Sequence, residues 1–208
     1  MTLGEIKIEA LKLMFMNYEH DIAVSDIENI KGDAKYGSYL VNMPGSINRA
    51  FNRIEQKGVL RSKTASLENG AEGDYYTRYD LDEISDFYSL ERIVYENADG
   101  GYKGNIGFRI EGSEILLPNI KEGESYRLIY KPKIERVTGI TDDEAEIGLP
   151  DDIAGLIPYF IKSELFEEDE PALSAQARNV FEASLNTIKP LPASKQNHID
   201  TVFDATRL

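Results

Sequence analysis

The hydrophobic period changes twice along this chain, and those changes decide what it can build. Up to Gly58 the apolar residues recur at helical spacing; from Val59 to about residue 139 they alternate; from Ile147 they are helical again. A stretch of alternating segments enclosed by amphipathic helices points to an α+β chain. Its expected core is made jointly by N- and C-terminal helices, with a small antiparallel β-sandwich or barrel inserted between them and an extended C-terminal tail. The corresponding divisions are 1–58 (first helices), 59–139 (β insertion), 140–188 (helical hairpin of the same core) and 189–208 (tail).

Local signals set the helices. Thr2 followed three residues later by Glu5 is a capping-box pattern. Leu3, Ile6, Ala10, Leu13, Met14 and Tyr18 continue it as one stripe, predicting a helix over about 3–17. Ser25 to Glu28 reads as a single turn. Tyr36, Tyr39, Leu40 and Met43 begin a second helix that Pro44-Gly45 interrupts, with Ser46 capping its continuation. That continuation buries Ile47, Ala50, Phe51 and Ile54 and stops at Gly58, in the left-handed cap position. Its polar face holds Asn48, Arg49, Asn52, Arg53 and Lys57. A solvated face is one reading of that basic row; a subunit interface through Arg49, Arg53 and Lys57 is the other.

The β segment reads as strands at about 59–65, 75–80, 86–96, 103–110, 113–117 and 125–138. Residues 68–74 and Asp99-Gly100-Gly101 are its turns. Most of the clustered tyrosines lie here: Tyr75, Tyr76, Tyr79, Tyr88, Tyr95, Tyr126 and Tyr130. Aromatic pairing inside a small sheet accounts for them, and sugar binding or a wet protein interface is the functional alternative. Residues 140–146 form the return crossing.

Leu149-Pro150-Asp151-Asp152 opens the closing hairpin, with Pro at a first helical position and acids at the positive helix end. Ile153, Leu156, Ile157, Phe160, Ile161 and Leu165 follow at helical spacing. Pro158 lies inside that run and predicts a kink, with the helix bending rather than stopping. Glu167 to Glu170 make an acidic turn, Pro171 opens the next helix, and Leu173, Ala177, Val180, Phe181, Leu185 and Ile188 fall on one stripe. So short a link predicts an antiparallel pair. After Lys189, Pro190 and Pro192 forbid continuation, and the scattered Ile199, Val202, Phe203 and Leu208 build no core. Fully extended, that tail reaches on the order of 60 Å, enough to lie along another subunit or protein.

Composition excludes several chemistries. There is no cysteine, so disulfides, thiolate metal sites and thiol catalysis are unavailable. No leader pattern and no membrane-length apolar run is visible, so cytoplasmic residence is expected. A net charge of −14 argues against a surface that grips phosphate backbones. His20 and His198 stand in no triad or metal spacing. Asp99 to Gly104 lacks the Lys-Ser/Thr ending of a phosphate loop. The acids Asp142, Asp143, Glu144, Glu146, Asp151 and Asp152 attract cations in principle but lack a calcium-loop register. No catalytic residue, cofactor or metal is therefore expected, and a non-enzymatic role is.

Two stretches resemble the head-to-tail adaptor (connector) proteins of tailed bacteriophages. One is the start, Met1 to Met14, with the later Asn48-Arg49-Ala50-Phe51 helix; the other is the hairpin from Leu149-Pro150-Asp151-Asp152 through Leu185. The likeness lies in helix order, the Leu-Pro-Asp opening and the acidic turn. The β insertion is larger than in the minimal, all-helical members. The resemblance implies a structural protein of the virion neck, assembled in the host cytoplasm. It further implies a ring, commonly twelve-fold, below the portal protein, with tail or neck proteins as partners and DNA passing through unbound. Docking of Pro190, Pro192, Ile199, Val202, Phe203 and Leu208 into the portal is the corresponding expectation for the tail. Another neck or tail-completion protein, or a carbohydrate-binding module in the β segment, are the alternatives.

Overall fold

The computed structural model describes residues 1–15, 22–68, 70–98, 101–104 and 106–188. It is an α+β protein, with six α-helices and eight strands among those residues. The first helix, α1 (Leu3–Met14), starts with the full capping box: Thr2 Oγ1 accepts from Glu5 N at 3.2 Å, and Thr2 N donates to Glu5 Oε2 at 2.8 Å. It stops at Met14 rather than near 17, and Leu11, not Leu13, completes its buried face. Lys162 Nζ donates to the Leu13 carbonyl at 2.6 Å, supplying the cation and donor that a helix C-terminus favours. A 3-10 turn at Val24–Asp26 leads into α2 (Ile27–Lys31), so the expected single turn is longer than the sequence suggests.

α3 (Gly37–Lys57) runs without a break through Pro44. The expected interruption at Pro44-Gly45 does not occur, and Ser46 is fully buried mid-helix, accepting from Arg49 Nη2 at 3.2 Å instead of capping. The reason is burial. Leu40, Met43, Ile47, Ala50, Phe51 and Ile54 are all nearly or wholly removed from water, and this offsets the roughly 3 kcal/mol that an interior proline costs. Gly58 ends the helix at φ 67°, the left-handed cap the sequence implies.

At Pro158 the outcome is reversed. The helix expected to bend there instead stops and restarts, as α4 (Asp151–Ala154) and α5 (Ile157–Leu165), with Gly155 and Leu156 between them. Pro158 then occupies the first turn of α5, where its missing N–H has no carbonyl to satisfy. α6 (Pro171–Thr187) returns antiparallel to α5. Ser174 Oγ donates to the Ser163 carbonyl at 2.6 Å, and further along the Phe160 and Phe181 rings meet edge-on at 4.9 Å. Ala177, Phe181 and Leu185 are buried on this seam, whereas Leu173 and Val180, expected on the same stripe, are 39% and 37% exposed. Each sits one residue before a seam position, about 100° around the helix, and α6 packs against too few neighbours to cover both sides.

Helices from both ends of the chain share one hydrophobic cluster, which includes Leu3, Ile6, Phe51, Ile54, Ile157, Ile161 and Phe181. An aromatic knot closes one end of it. The Phe15 ring lies 4.8 Å from Tyr36, 5.1 Å from Tyr39 and 5.8 Å from Phe166, all edge-on, joining the ends of α1 and α5 to the start of α3.

The β segment forms two four-stranded antiparallel sheets. Strands β1 (Lys63–Leu67), β8 (Ser125–Pro132), β4 (Phe87–Glu96) and β5 (Tyr102–Gly104) adjoin in that order. The second sheet runs β2 (Ala71–Glu72), β3 (Tyr76–Asp80), β7 (Glu114–Pro118) and β6 (Arg109–Glu111). Leu67, Ile93, Tyr126, Leu128 and Tyr130 from one sheet meet Tyr79, Ile115 and Leu117 from the other in a second cluster.

Several strand limits depart from the sequence reading. Val59 and Leu60 belong to the helical cluster, so the first strand starts four residues later than expected. The single strand expected at 103–110 is two, β5 and β6, in different sheets. The turn at 68–74 contains β2. Register shifts between Phe87 and Ser89 and between Leu90 and Arg92 interrupt the alternation in the first half of β4, while from Arg92 to Glu96 the pairing is regular and the buried Ile93 and Val94 face opposite sides of the sheet. The strand expected to reach 138 ends at Pro132, and residues 133–138 leave the sheet to lie along α3.

Candidate functional site

α3 is held along two edges by different chemistry. On one edge, Asn48 grips the departing segment: its Nδ2 donates to the Val137 carbonyl at 2.7 Å and its Oδ1 accepts from Val137 N at 3.0 Å. One turn on, Asn52 Oδ1 accepts from Arg136 Nη2 at 2.7 Å. Glu55 completes the row, with Oε1 accepting from Ile134 N and Oε2 from Arg136 Nη2, both at 2.6 Å. Its carboxylate side chain is 1% exposed, a burial tolerated because both oxygens are hydrogen-bonded and one faces a guanidinium.

The other edge carries the basic row. Arg49 Nε donates to Glu164 Oε2 of α5 at 2.7 Å. Arg53 makes a bidentate pair with Glu182 of α6, at 2.8 and 2.9 Å, and this contact holds the Glu182 carboxyl below the usual carboxylate range. Lys57 Nζ donates to Asn186 Oδ1. The row singled out as a possible subunit interface, Arg49, Arg53 and Lys57, thus lies on the seam between α3 and the hairpin of its own chain. Arg49 and Arg53 keep about half of their side chains exposed.

The acidic return crossing is used in the same way. Asp143 receives Lys7 Nζ, a side chain 5% exposed, and has Lys31 Nζ at 3.6 Å. Leu3 N and Gly4 N donate to the carbonyls of Ala145 and Asp143, and Ile147 N donates to that of Met1, so the crossing straps the start of α1. A Cβ on Gly4 would lie 2.5 Å from Val24 and 3.0 Å from the Asp143 carbonyl, so glycine is required for this approach. Asp151 receives the Met1 ammonium at 2.9 Å. Among the described residues no group of three or more His, Asp or Glu is arranged to hold a metal ion.

In the β segment, Tyr79, Tyr126 and Tyr130 are buried, as aromatic pairing inside a sheet implies, while Tyr75 and Tyr76 are 79% and 54% exposed. Tyr130 OH donates to Asp86 Oδ1 at 2.7 Å, and Asp86 Oδ2 accepts from Lys63. Burial and then Asp86 push the Tyr130 hydroxyl up to about 12. Burial pushes the Asp86 carboxyl upward too, but Lys63 and Tyr130 outweigh it and hold it below its ordinary value. A shallow depression of about 260 Å³ lies between α1 and α5, lined by Glu9, Leu13, Pro158 and Tyr159; its one acid, Glu9, pairs with Lys12 at 3.0 Å.

No protein-family model and no curated protein matches this chain. Among the described residues no helix is long and apolar enough to cross a membrane. The docking residues of the tail, Pro190, Pro192, Ile199, Val202, Phe203 and Leu208, lie outside the described residues, as do His20 and His198.

The outer face of α6 escaped the sequence reading. From Pro171 to Thr187 the charged residues are Arg178 and Glu182 alone, and both turn inward. Arg178 stacks 4.2 Å from the Phe160 ring centroid and pairs with Glu164; Glu182 pairs with Arg53. Leu173, Gln176, Val180 and Ala183 are left on an exposed surface without charge. The signal was the scarcity of charge along this helix, in a chain where charged residues make up 29%.

Proposed function

We propose that this chain is a structural subunit of a virion neck. In this reading it is a head-to-tail adaptor whose copies form a ring below the portal protein, extend the DNA channel, and join capsid to tail or neck proteins. The observation that carries this reading is the hairpin. Leu149 to Asp152 open it, the acidic residues Glu167 to Glu170 turn it, and its α5 packs against α1, α3 and α6. These are the elements on which the likeness to adaptor proteins rests. Charge is compatible with such a role: twelve copies at −14 each amount to on the order of −170 formal charges, which disfavours adhesion of DNA to the channel wall. The charged residues in α3, α5 and the return crossing join segments of the chain to one another, and no catalytic role is assigned to them.

The test is the mass of the full-length protein, alone and mixed with a portal ring, beside a variant ending at Lys189. A ring or portal complex that needs residues 190–208 is the expected result. A monomer indifferent to portal in both forms would overturn the proposal.

The exposure of Tyr75 and Tyr76 favours a second reading, a carbohydrate platform on the β segment. Glycan binding by the full chain that is lost in Tyr75→Ala/Tyr76→Ala, without any portal complex, would select it.

A further inference from the structure

The uncharged face of α6 and the residues that follow it in sequence are complementary. Leu173 and Val180 stand two turns apart on that face, 39% and 37% exposed, with Gln176 between them. Residues 189–208 carry Lys189, Lys195 and Arg207 against Asp200 and Asp204, so their side-chain charges nearly balance on a chain whose total is −14. Their apolar side chains Ile199, Val202 and Phe203 are spaced i, i+3, i+4, which is the pattern of a short stripe that lies on a helix face.

We propose that the Leu173–Val180 face of α6 is the docking site of the chain's own C-terminal segment, anchored by Ile199, Val202 and Phe203. The geometry of reach allows it. α6 has 17 residues and is about 26 Å long, while residues 188–198 span up to about 36 Å when extended, so a chain reversing near Pro190 and Pro192 brings the anchors to either end of the face. Tethering favours the chain's own segment over that of a second copy, because a short linker supplies an effective concentration of about millimolar. This docking does not depend on the virion role. Where that role holds, a portal cleft and α6 compete for the same anchors, and free and assembled subunits differ in which of the two holds the segment.

Because the chain has no cysteine, paired cysteines can be introduced into the full-length protein without background. Val180→Cys with Phe203→Cys is compared, under mild oxidation, with a control pair, Ala175→Cys with Phe203→Cys, whose first site is exposed on another side of the same helix at a similar distance along the chain. The expected result is an intrachain disulfide that forms about tenfold faster than in the control, at a rate independent of protein concentration. Equal rates would overturn the proposal, and a covalent dimer as the main product would assign the face to a second copy. In a protein free of engineered cysteines, Val180→Glu is expected to speed amide exchange within 199–208 while α6 keeps its protection. Unchanged exchange in 199–208 would equally overturn it. Neither outcome bears on portal binding, which the Lys189 truncation tests separately.

Discussion

The carboxamide of Asn48 pairs with both backbone groups of Val137, its Nδ2 2.7 Å from the carbonyl and its Oδ1 3.0 Å from the amide nitrogen. A helix side chain here replaces the partner strand that residues 133–138 lose on leaving the sheet, and it holds this segment, with Ile134 and Val137, in the helical cluster.

Asn48→Ala removes both partners of Val137 at a half-buried site. The expected loss is about 1–3 kcal/mol in unfolding free energy, the usual cost of unmade buried hydrogen bonds. Asn48→Asp keeps the acceptor for Val137 N but sets a carboxylate against its carbonyl, and is also destabilising. Urea titration of the three proteins checks this; equal midpoints would show that the contact adds nothing.

Lys7 and Asp143 form the most buried ion pair between α1 and the return crossing. Removing one member leaves a charge with little solvent access, so Lys7→Met should cost about 3–5 kcal/mol, and Lys7→Met/Asp143→Asn less than the sum of the single changes. A double-mutant cycle measured by thermal unfolding gives the coupling. Strict additivity would mean that Lys31, at 3.6 Å, carries the interaction instead.

The pH dependence has two limbs of opposite sign. Glu182 and Asp86 titrate below their ordinary values of 4.5 and 3.8 in the folded chain, so each contributes stability that is complete above those values and lost as pH falls through the depressed folded ones. Tyr130 is raised from 10.0 to about 12, so its contribution is complete below pH 10 and lost as pH rises toward 12. Denaturant unfolding across pH should show both limbs. Tyr130→Phe should shrink the alkaline one, to which Tyr95, also pushed up to about 12, contributes as well, and Arg53→Met should shrink the acidic one while leaving the part due to Asp86.

The two helical prolines should respond differently to alanine. Pro44→Ala restores a donor inside α3 and is expected to stabilise, by up to about 3 kcal/mol. Pro158→Ala, in the first turn of α5, should stay within about 0.5 kcal/mol of the parent. Melting temperatures of the two variants decide it, and a larger gain at Pro158 would contradict the packing account of both sites.

Local chemistry was legible in the residues themselves. The Thr2–Glu5 box, the left-handed Gly58, the antiparallel hairpin around Glu167 to Glu170 and the switch from helical to alternating period each depend on neighbours within a few positions, and the α+β class follows from them. The same locality explains the errors at Pro44 and Pro158. A proline's cost is local, but whether a helix continues through it depends on how much apolar surface the flanking turns bury, and that surface comes from distant segments.

The candidate surfaces divide the same way. Arg49, Arg53 and Lys57 were visible as a row because helical spacing alone aligns them, yet their partners Glu164, Glu182 and Asn186 lie more than a hundred residues away. Only the packing of α3 against α5 and α6 chose those partners. It also turned Arg178 and Glu182 inward and left Leu173 and Val180 outside, since a helix with one apolar seam can present its remaining face to solvent or to a partner, and spacing along the chain does not say which. Periodicity and caps, being short-range, were set by the sequence alone; which face is covered, which proline is tolerated and which charge meets which were decided by contacts between parts of the chain that only the folded state brings together.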